Sequence, residues 1–213
     1  VIVDSTLATP VNQRPLEFGA DLVVHSMTKY LAGHNDVLGG AVSGRGDLGE
    51  RVRDFQGELG GSAAPHQAYL ILRGMKTLPL RVARMNETGL AVARFLEQHP
   101  AVERCFYPGL ESSPYHKIAS KQMKGCGGLV SFWIKGGEPE AFKVIDSLRI
   151  PRIGPSLGGC ESLVCHPATL TFYKMGREAR EKIGIRDQLI RYSIGLEDAA
   201  DLIADLKQAL DGI

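Results

Sequence analysis

Four side chains near the start of the sequence have the right chemistry to act together: one carboxylate, two hydroxyls and one amine. Asp4 follows a short apolar run, and Ser26, Thr28 and Lys29 follow a second one. A lysine beside a buried strand can lose its proton through desolvation and attack an aldehyde. Two neighbouring hydroxyls can bind a phosphate, and a carboxylate beside a protonated ring nitrogen stays ionised. The residues therefore predict a site for an aldehyde, a phosphate and a basic ring.

Those three groups together describe pyridoxal phosphate, which proteins hold through a lysine and an acidic partner for the ring nitrogen. A second interpretation needs no cofactor. Asp4 would then cap a loop, and Ser26 and Thr28 would cap the next helix, as such side chains often do. The spacing alone leaves both interpretations open.

The elements that would position these residues form a compact β–α–β unit over residues 1–25. Its two strands are predicted at Val1–Val3 and Ala20–Val24. Parallel strands present their carboxyl ends at one edge of a sheet, which is where open α/β sheets bind ligands. We therefore expect Asp4 and the polar run 25–29 to lie on the same rim.

The rest of the chain predicts a linking helix and a second unit of strands and helices. A glycine-rich stretch at 30–65 precedes a helical pattern from Gln67 to Gln98, which Pro79 should break or kink. The remaining predicted elements are strands Val102–Tyr107, Gly128–Ile134 and Leu189–Gly195, a helix Pro139–Leu148 with Phe142, Ile145 and Leu148 inward, and a last helix capped by Asp198 with Leu202, Ile203, Leu206 and Leu210 inward.

The composition argues against several classes of protein. The chain has 213 residues, and its 25 Lys and Arg against 24 Asp and Glu do not suit a general nucleic-acid or polybasic membrane binder. Hydrophobic content of 44% and charged content of 23% are typical of a globular protein, with no apolar run long enough to span a membrane. The four cysteines lack a C-x-x-C pair and the histidines lack metal-binding spacing, so we expect free thiols and no metal site.

Seven motifs occur in order along almost the whole chain. They read VDSTLATP at 3–10, HSMTKY at 25–30, GHNDV at 33–37, RGMKTL at 73–78, YPGL at 107–110, SLGGCES at 156–162 and RYSIGLED at 191–198. Together they closely resemble the Cys/Met-metabolism family of pyridoxal-phosphate enzymes. That family includes the cystathionine γ-synthases, γ-lyases and β-lyases and the methionine γ-lyases.

The resemblance implies an α/β fold of the fold-type I transferase class, similar to aspartate aminotransferase. Residues 1–75 would be the C-terminal part of a truncated, cofactor-binding large domain, and residues 76–213 a small α+β domain that includes the linking helix. Family members also carry an upstream segment with a glycine loop for the phosphate, a ring-stacking tyrosine and an arm that reaches a neighbouring subunit. The sequence resembles only the C-terminal half to two-thirds of such an enzyme.

The resemblance also assigns roles in holding the cofactor. Lys29 would bind the aldehyde covalently and later transfer protons, and Asp4 would bind the pyridinium nitrogen. Ser26 and Thr28 would contact the phosphate, and Thr6 would lie against the ring. Two positions after the aspartate depart from the family pattern, where Ser5 and Leu7 replace the usual Asn and Phe.

Three further residues would bind substrate in this family. Arg191 would hold the α-carboxylate through its planar guanidinium, with Ser156 beside it. Glu161 occupies the position of a distal acidic group in members that act on cystathionine-type substrates. The alternative interpretation of Arg191 is a surface arginine on a strand. That of Glu161 is a carboxylate that caps a helix.

The resemblance favours a transsulfuration enzyme, most closely a cystathionine γ-synthase of methionine biosynthesis. Such an enzyme replaces the γ-substituent of an O-acyl-homoserine ester with cysteine to form cystathionine. The preference depends on the stretches 158–167 and 184–213 and on Tyr173. Cystathionine γ-lyase, methionine γ-lyase and a non-catalytic fragment with half a cofactor site are the alternatives. The resemblance further implies a cytoplasmic homo-oligomer of the tetramer type, with no nucleic-acid or membrane partner.

Overall fold

The computed structural model describes residues 1–213 and contains two separate β-sheets joined by helices. No helix combines the length and the apolar composition that crossing a membrane requires. The strands are β1 Ile2–Asp4, β2 Leu22–Ser26, β3 Gly40–Gly44, β4 Val102–Phe106, β5 Leu129–Ile134, β6 Arg152–Ile153, β7 Leu163–Cys165 and β8 Leu189–Ser193. The α-helices are α1 Thr9–Asn12, α2 Gly46–Leu59, α3 Pro65–Met75, α4 Leu78–Gln98, α5 His116–Gln122, α6 Glu138–Ser147, α7 Pro167–Leu170, α8 Arg177–Lys182 and α9 Ala199–Leu210.

The first sheet has three strands in the order β1-β2-β3. Strands β1 and β2 are parallel, with Asp4 opposite Val24, whereas β2 and β3 are antiparallel. The parallel pair predicted for residues 1–25 is therefore confirmed, and its second strand extends to Ser26. Asp4 and Ser26 consequently lie at the carboxyl ends of neighbouring strands.

The second sheet has five strands in the order β4-β5-β8-β7-β6. On β5, Val130, Phe132 and Ile134 are fully buried, as the alternation of the strand predicted. Helices α4, α6 and α9 pack against this sheet and close a core of twenty buried residues. The Asp198 carboxylate caps α9 by accepting the N–H of Ala200, and Leu202, Leu206 and Leu210 are fully buried.

Helix α6 differs from its prediction. Its buried residues are Ala141, Val144 and Ile145, whereas Phe142 is 38% exposed and packs edge-on against His166. The predicted inward face was wrong at Phe142 because a large aromatic residue at helical spacing can also cover a neighbouring loop. Leu148 follows the end of the helix and is partly buried against the core.

The long helical pattern before the second sheet forms two helices rather than one. Helix α3 ends at Met75, α4 starts at Leu78, and Pro79 lies in the first turn of α4. The break was predicted at Pro79 but falls before it, between Met75 and Leu78. Proline fits the first turn of α4 because the N–H groups of a first turn have no partner within the helix, so a residue without an N–H costs nothing there. The two helices connect the three-stranded sheet to the five-stranded sheet.

The four cysteines form no disulfide, in agreement with the predicted free thiols. Cys165 is fully buried, as expected for a small apolar residue. Cys160 is only partly buried, and its Sγ donates to the backbone oxygen of Gly33 at 3.2 Å. The Cys160 thiol thereby links two loops.

Candidate active site

Lys29 lies in a short wide helical turn, Met27–Leu31, that directly follows β2. Its backbone dihedrals, φ −93° and ψ −130°, depart from the helical values of the turn around it. The side chain is half-buried, and its Nζ donates to Ser156 Oγ at 3.0 Å. Ser156 belongs to the loop between β6 and β7 of the second sheet. The hydrogen bond therefore joins a residue that follows the first sheet to a loop of the second sheet.

The environment of Lys29 favours the neutral amine. Burial lowers its pKa from the ordinary lysine value, and the positive charge of Arg191 lowers it further. The structure gives the amine no carboxylate partner within ion-pair distance that would hold the proton. Because the unprotonated nitrogen is the nucleophile, both effects prepare Lys29 to attack an aldehyde.

Arg191 is positioned by the middle of the second sheet. Its neighbours on β8, Ile190 and Tyr192, point into the core, so the arginine faces the opposite side. Its Nη2 donates to the carbonyl oxygens of Pro155 at 2.5 Å and Ser156 at 3.2 Å. Its Nε is buried and has no hydrogen-bond partner within the chain. Its Nη1 also makes no hydrogen bond within the chain but, unlike Nε, is not buried, so it is available to an external acceptor such as a carboxylate.

Asp4, Thr6 and Ser26 form a second group at the ends of the parallel strands. The backbone N–H of Thr6 donates to Asp4 Oδ1 at 2.8 Å. The N–H of Ser26 donates to Thr6 Oγ1 at 2.8 Å and thereby ties the two strand ends together. The structure thus places Thr6 as a bridge between the residues predicted to bind the ring nitrogen and the phosphate.

The carboxyl group of Asp4 is held in its ionised form. The Thr6 hydroxyl and then the Thr6 N–H lower its pKa, and the nearby His25 contributes less. His25 is itself buried, which lowers its pKa, and its Nδ1 has no partner. An ionised carboxylate with one backbone donor keeps lone pairs free for a protonated ring nitrogen.

Replacing Thr6 with valine is expected to raise the pKa of Asp4 toward its ordinary value. The substitution removes the hydroxyl that lowers this pKa and the acceptor of the Ser26 N–H. The unfolding free energy should fall by about 0.5–1.5 kcal/mol, the net contribution of a typical hydrogen bond, because the Ser26 N–H is only partly buried. Titration of Asp4 by carboxyl-carbon NMR and urea unfolding would measure the two effects.

A Thr6→Ser variant is the matched control, because it keeps the hydroxyl and loses only the methyl group. Its Asp4 pKa should stay close to that of the unsubstituted protein. Equal Asp4 titration in the valine and serine variants would contradict the role given to the hydroxyl.

Thr28 is bound to the loop that precedes β3. Its Oγ1 accepts the N–H of Gly39 at 3.0 Å and donates to the Gly39 carbonyl at 3.4 Å. The hydroxyl of Ser26, by contrast, makes no hydrogen bond within the chain. Ser26 and Thr28 supply the two hydroxyls predicted to bind a phosphate. The Ser26 hydroxyl is free to do so, whereas the Thr28 hydroxyl is already bound to the loop before β3.

Glu161 lies apart from the Lys29 group, on the exposed surface of the loop that contains Ser156. Its Oε2 accepts from Asn35 Nδ2 at 3.2 Å. Asn35 has a left-handed backbone, φ 57°, and belongs to the segment after the Lys29 turn. Sequence motifs identified both residues but could not show that they contact each other across the two sheets.

A cavity of about 640 Å³ opens beside Lys29. Lys29, Thr28 and Ser156 line one part of it, and Asn35 and His66 line another. Its volume falls within the range of small-molecule sites. The structure therefore places the predicted nucleophile at the wall of a space that a cofactor-sized molecule could enter.

The predicted site residues form two groups that make no hydrogen bond to each other. Lys29, Ser156 and Arg191 form one group, and Asp4, Thr6 and Ser26 form the other. Nowhere do three or more His, Cys, Asp or Glu side chains come together as a metal site would require.

The loop that carries Ser156 has a support that the sequence reasoning missed. Ser162 is fully buried, and its N–H and hydroxyl donate to the Glu197 carboxylate at 2.7 and 2.8 Å. The same hydroxyl accepts the N–H of Gly195 at 2.9 Å. No local pattern in the sequence predicts the contact between Ser162 and Glu197, which are 35 positions apart.

Comparison with known proteins identifies the family. The family described as Cys/Met metabolism PLP-dependent enzyme matches residues 1–211. The chain belongs to this family, whose members depend on pyridoxal phosphate. The resemblance found in the motifs is thereby confirmed, and the fold is of the predicted fold-type I α/β class.

Two curated relatives show the range of activities in the family. Cystathionine gamma-synthase 1, chloroplastic, from Nicotiana tabacum is 52% identical over 213 residues, which is 100% of this chain and 39% of that protein. L-methionine gamma-lyase from Fusobacterium nucleatum subsp. polymorphum is 45% identical and is matched over 100% of this chain and 54% of its own length. The chain thus spans about half, or less, of the relatives it matches.

A solved structure is also similar. It is the cystathionine gamma synthase from Xanthomonas oryzae pv. oryzae in complex with aminoacrylate and cysteine. It is 44% identical with a TM-score of 0.95, and the match covers 99% of this chain and 55% of that one. The architecture described above is therefore that of a known pyridoxal-phosphate fold over the matched part.

The residues present fit this cofactor on independent grounds. Lys29 supplies an amine of lowered pKa without an acidic partner, and Asp4 supplies an ionised carboxylate at the same rim. Ser26 supplies a free hydroxyl. An amine, a carboxylate and a hydroxyl are the groups that suit an aldehyde, a ring nitrogen and a phosphate.

Proposed function

We propose that this chain belongs to a pyridoxal-phosphate transsulfuration enzyme, most specifically a cystathionine γ-synthase. It carries the part of the active site that contains the cofactor-binding lysine, Lys29. The observation that carries the proposal is the arrangement of Lys29, Ser156 and Arg191. Ser156 binds the Lys29 amine through its hydroxyl and Arg191 through its carbonyl oxygen. One residue therefore holds an amine and a guanidinium next to each other, which supports their use as nucleophile and carboxylate-binding cation.

Lys29 would hold the cofactor and later carry protons. When bound, pyridoxal phosphate withdraws electrons and so stabilises negative charge on the carbons of an amino acid attached to it. Lys29 would hold the cofactor through its nitrogen, which suits the aldehyde carbon. The Lys29 amine would also accept a proton from one substrate carbon and return it to another.

Arg191 would hold the α-carboxylate of the substrate. Its guanidinium is already fixed by two backbone carbonyls, so little side-chain freedom is lost on binding. Its Nη1, which is not buried and has no hydrogen bond within the chain, supports a role in binding an anion. This placement would hold the substrate's reacting carbons within reach of the Lys29 amine.

Asp4, Ser26 and Thr28 would hold the rest of the cofactor. Asp4 would accept a hydrogen bond from the protonated ring nitrogen and keep that proton in place. Ser26 would bind the phosphate through its free hydroxyl, and Thr28 would hold the loop beside it. Thr6 would fix Asp4 and Ser26 relative to each other. Glu161, paired with Asn35, would face the far end of a long substrate.

The proposed reaction is replacement of the acyloxy group of a homoserine ester by the thiol of cysteine, which yields cystathionine and a carboxylic acid. Three relatives named as cystathionine or probable cystathionine gamma-synthases are 50–52% identical to this chain. A second candidate is γ-elimination, because relatives named L-methionine gamma-lyase reach 48% identity and cystathionine gamma-lyase 42%. The two reactions differ in whether a thiol or water completes the turnover, which depends on pocket shape.

An assay of the full-length gene product with pyridoxal phosphate separates the two candidates. An O-acyl-homoserine and cysteine should give cystathionine faster than the ester alone gives an α-keto acid. Faster release of the keto acid from methionine or cystathionine would favour a lyase. Absence of both products would contradict the proposed function.

The proposal includes the organisation of the complete enzyme. Residues 1–75 would belong to the cofactor-binding domain and residues 76–213 to the small domain, a division supported by the break between α3 and α4. A cytoplasmic homo-oligomer is proposed, and exposed apolar residues such as Phe55 on α2 and Leu72 on α3 support association of subunits.

A further inference from the structure

Arg81, on α4, is a buried cation that lies just behind the Lys29 turn. Its side chain is 4% exposed, and all four of its hydrogen bonds go to neutral oxygens. Nη1 donates to the carbonyl of Tyr30 at 2.8 Å, and Nη2 donates to the carbonyls of Gly74 at 2.8 Å and Leu31 at 3.4 Å. The guanidinium therefore joins the end of the Lys29 turn to the end of helix α3.

The charge of Arg81 is compensated by helix ends rather than by an acid. The carbonyls at the C-terminal end of a helical segment carry partial negative charge and lack partners within the segment. Arg81 binds such carbonyls from two segments at once, and its Nε donates to Thr77 Oγ1 at 3.1 Å. A flat group with donors in several fixed directions is needed for this, and a lysine ammonium cannot reproduce it.

The chain is shaped to admit this side chain. Gly33 follows the Lys29 turn with φ +75°, and any side chain there would overlap the Arg81 guanidinium. The N–H of Gly33 donates to the carbonyl of Lys29 at 2.8 Å. The backbone of Lys29 is thus bound directly to the residue that packs on Arg81.

We propose that Arg81 is a positioning residue for Lys29: by holding the carbonyls of Tyr30 and Leu31, it sets the position of the Lys29 amine relative to Ser156 and Arg191. The proposal rests on the proposed function, because it concerns the reactivity of Lys29 toward pyridoxal phosphate. Arg81 lies behind the turn and has no contact with the cavity, so its effect must pass through the backbone.

The test measures the rate at which pyridoxal phosphate becomes attached to Lys29 in the full-length gene product. The cofactor is removed, pyridoxal phosphate is added, the linkage is reduced with borohydride, and the modified Lys29 peptide is quantified by mass spectrometry. Arg81→Ala should slow attachment at least about tenfold, since a misplacement of ~1 Å can cost 10²-fold in rate. Arg81→Lys should be intermediate, and millimolar guanidinium should restore much of the rate in the alanine variant.

Arg84→Ala is the matched control, because Arg84 lies on the same helix, is more exposed and binds Asp198 at 3.2 Å. Its attachment rate should equal that of the unsubstituted protein. Circular dichroism and thermal unfolding report the folded fraction, and Arg81→Lys decides the comparison if Arg81→Ala does not fold.

The outcomes separate the two proposals. If Lys29 of the unsubstituted protein does not react, the proposed function fails. If it reacts, but both Arg81 variants lose only thermal stability and react at the normal rate, Arg81 is structural alone and the positioning role is wrong. Slow reaction of the folded variants with rescue by guanidinium supports the role.

Discussion

Substitution of Lys29 by alanine is expected to abolish covalent attachment of pyridoxal phosphate and to reduce turnover by at least about 10³-fold. The amine would be both the attachment point of the cofactor and the group that moves protons, and positioned proton transfer alone contributes roughly 10²–10⁴-fold. The half-buried position of the side chain and its lowered pKa single it out among the lysines. Absorbance of the bound cofactor and borohydride trapping measure attachment, and product formation measures turnover.

The control for this variant is Lys117→Ala, since Lys117 is exposed on α5. It should retain the yellow colour, the attachment and the activity. A yellow, borohydride-trappable Lys29→Ala protein would show that another lysine holds the cofactor. The assignment of the nucleophile would then be wrong.

Substitution of Arg191 by alanine is expected to leave attachment of the cofactor intact and to lower kcat/KM by about 10²–10³-fold. Loss of a charged partner from a desolvated ion pair typically costs 2–5 kcal/mol, which corresponds to a reduction of this order. Most of the effect should appear in KM for the amino-acid substrate, because the guanidinium would bind its carboxylate. Steady-state kinetics on the full-length gene product would measure it.

The same substitution should change the pH dependence of cofactor attachment. The positive charge of Arg191 lowers the pKa of Lys29, so its removal raises that pKa. The neutral amine then becomes available at a higher pH, and the pH midpoint of attachment should move upward. Arg191→Lys keeps the charge and should move the midpoint less.

Arg104→Ala is a matched control on edge strand β4 of the same sheet, where the side chain is exposed. It should change neither KM nor the pH midpoint. An unchanged KM in Arg191→Ala would contradict the carboxylate-binding role, whatever happens to the midpoint.

Local patterns predicted most of the fold because burial has a period along a strand or a helix. Alternation identified Val130, Phe132 and Ile134 as one face of β5, and those residues are fully buried. The pattern failed at Phe142, which a helical period places inward and which packs instead on His166. It also misplaced the break before α4, because proline has opposite effects in the first turn and in the middle of a helix.

In the candidate site, the sequence likewise predicted the individual residues but not their contacts. Asp4, Ser26 and Lys29 could be selected from residue type and from their place just after predicted strands, and the structure puts them at one sheet edge. The contact between Lys29 and Ser156 joins residues 127 positions apart. No period in the chain encodes such a contact, although a family resemblance named both residues.

The amino-acid sequence by itself determined the family, through motifs that resemble those of its members, and the faces of the main strands, through short-range periodicity. The same resemblance predicted Lys29 as the nucleophile. Only the tertiary structure decided which groups lie within hydrogen-bond distance: Ser156 between Lys29 and Arg191, Thr6 between Asp4 and Ser26, and Arg81 behind the turn. The physical reason is that hydrogen bonds act over about 3 Å, whereas the side chains they join are brought together by packing of two sheets whose residues are far apart in the chain.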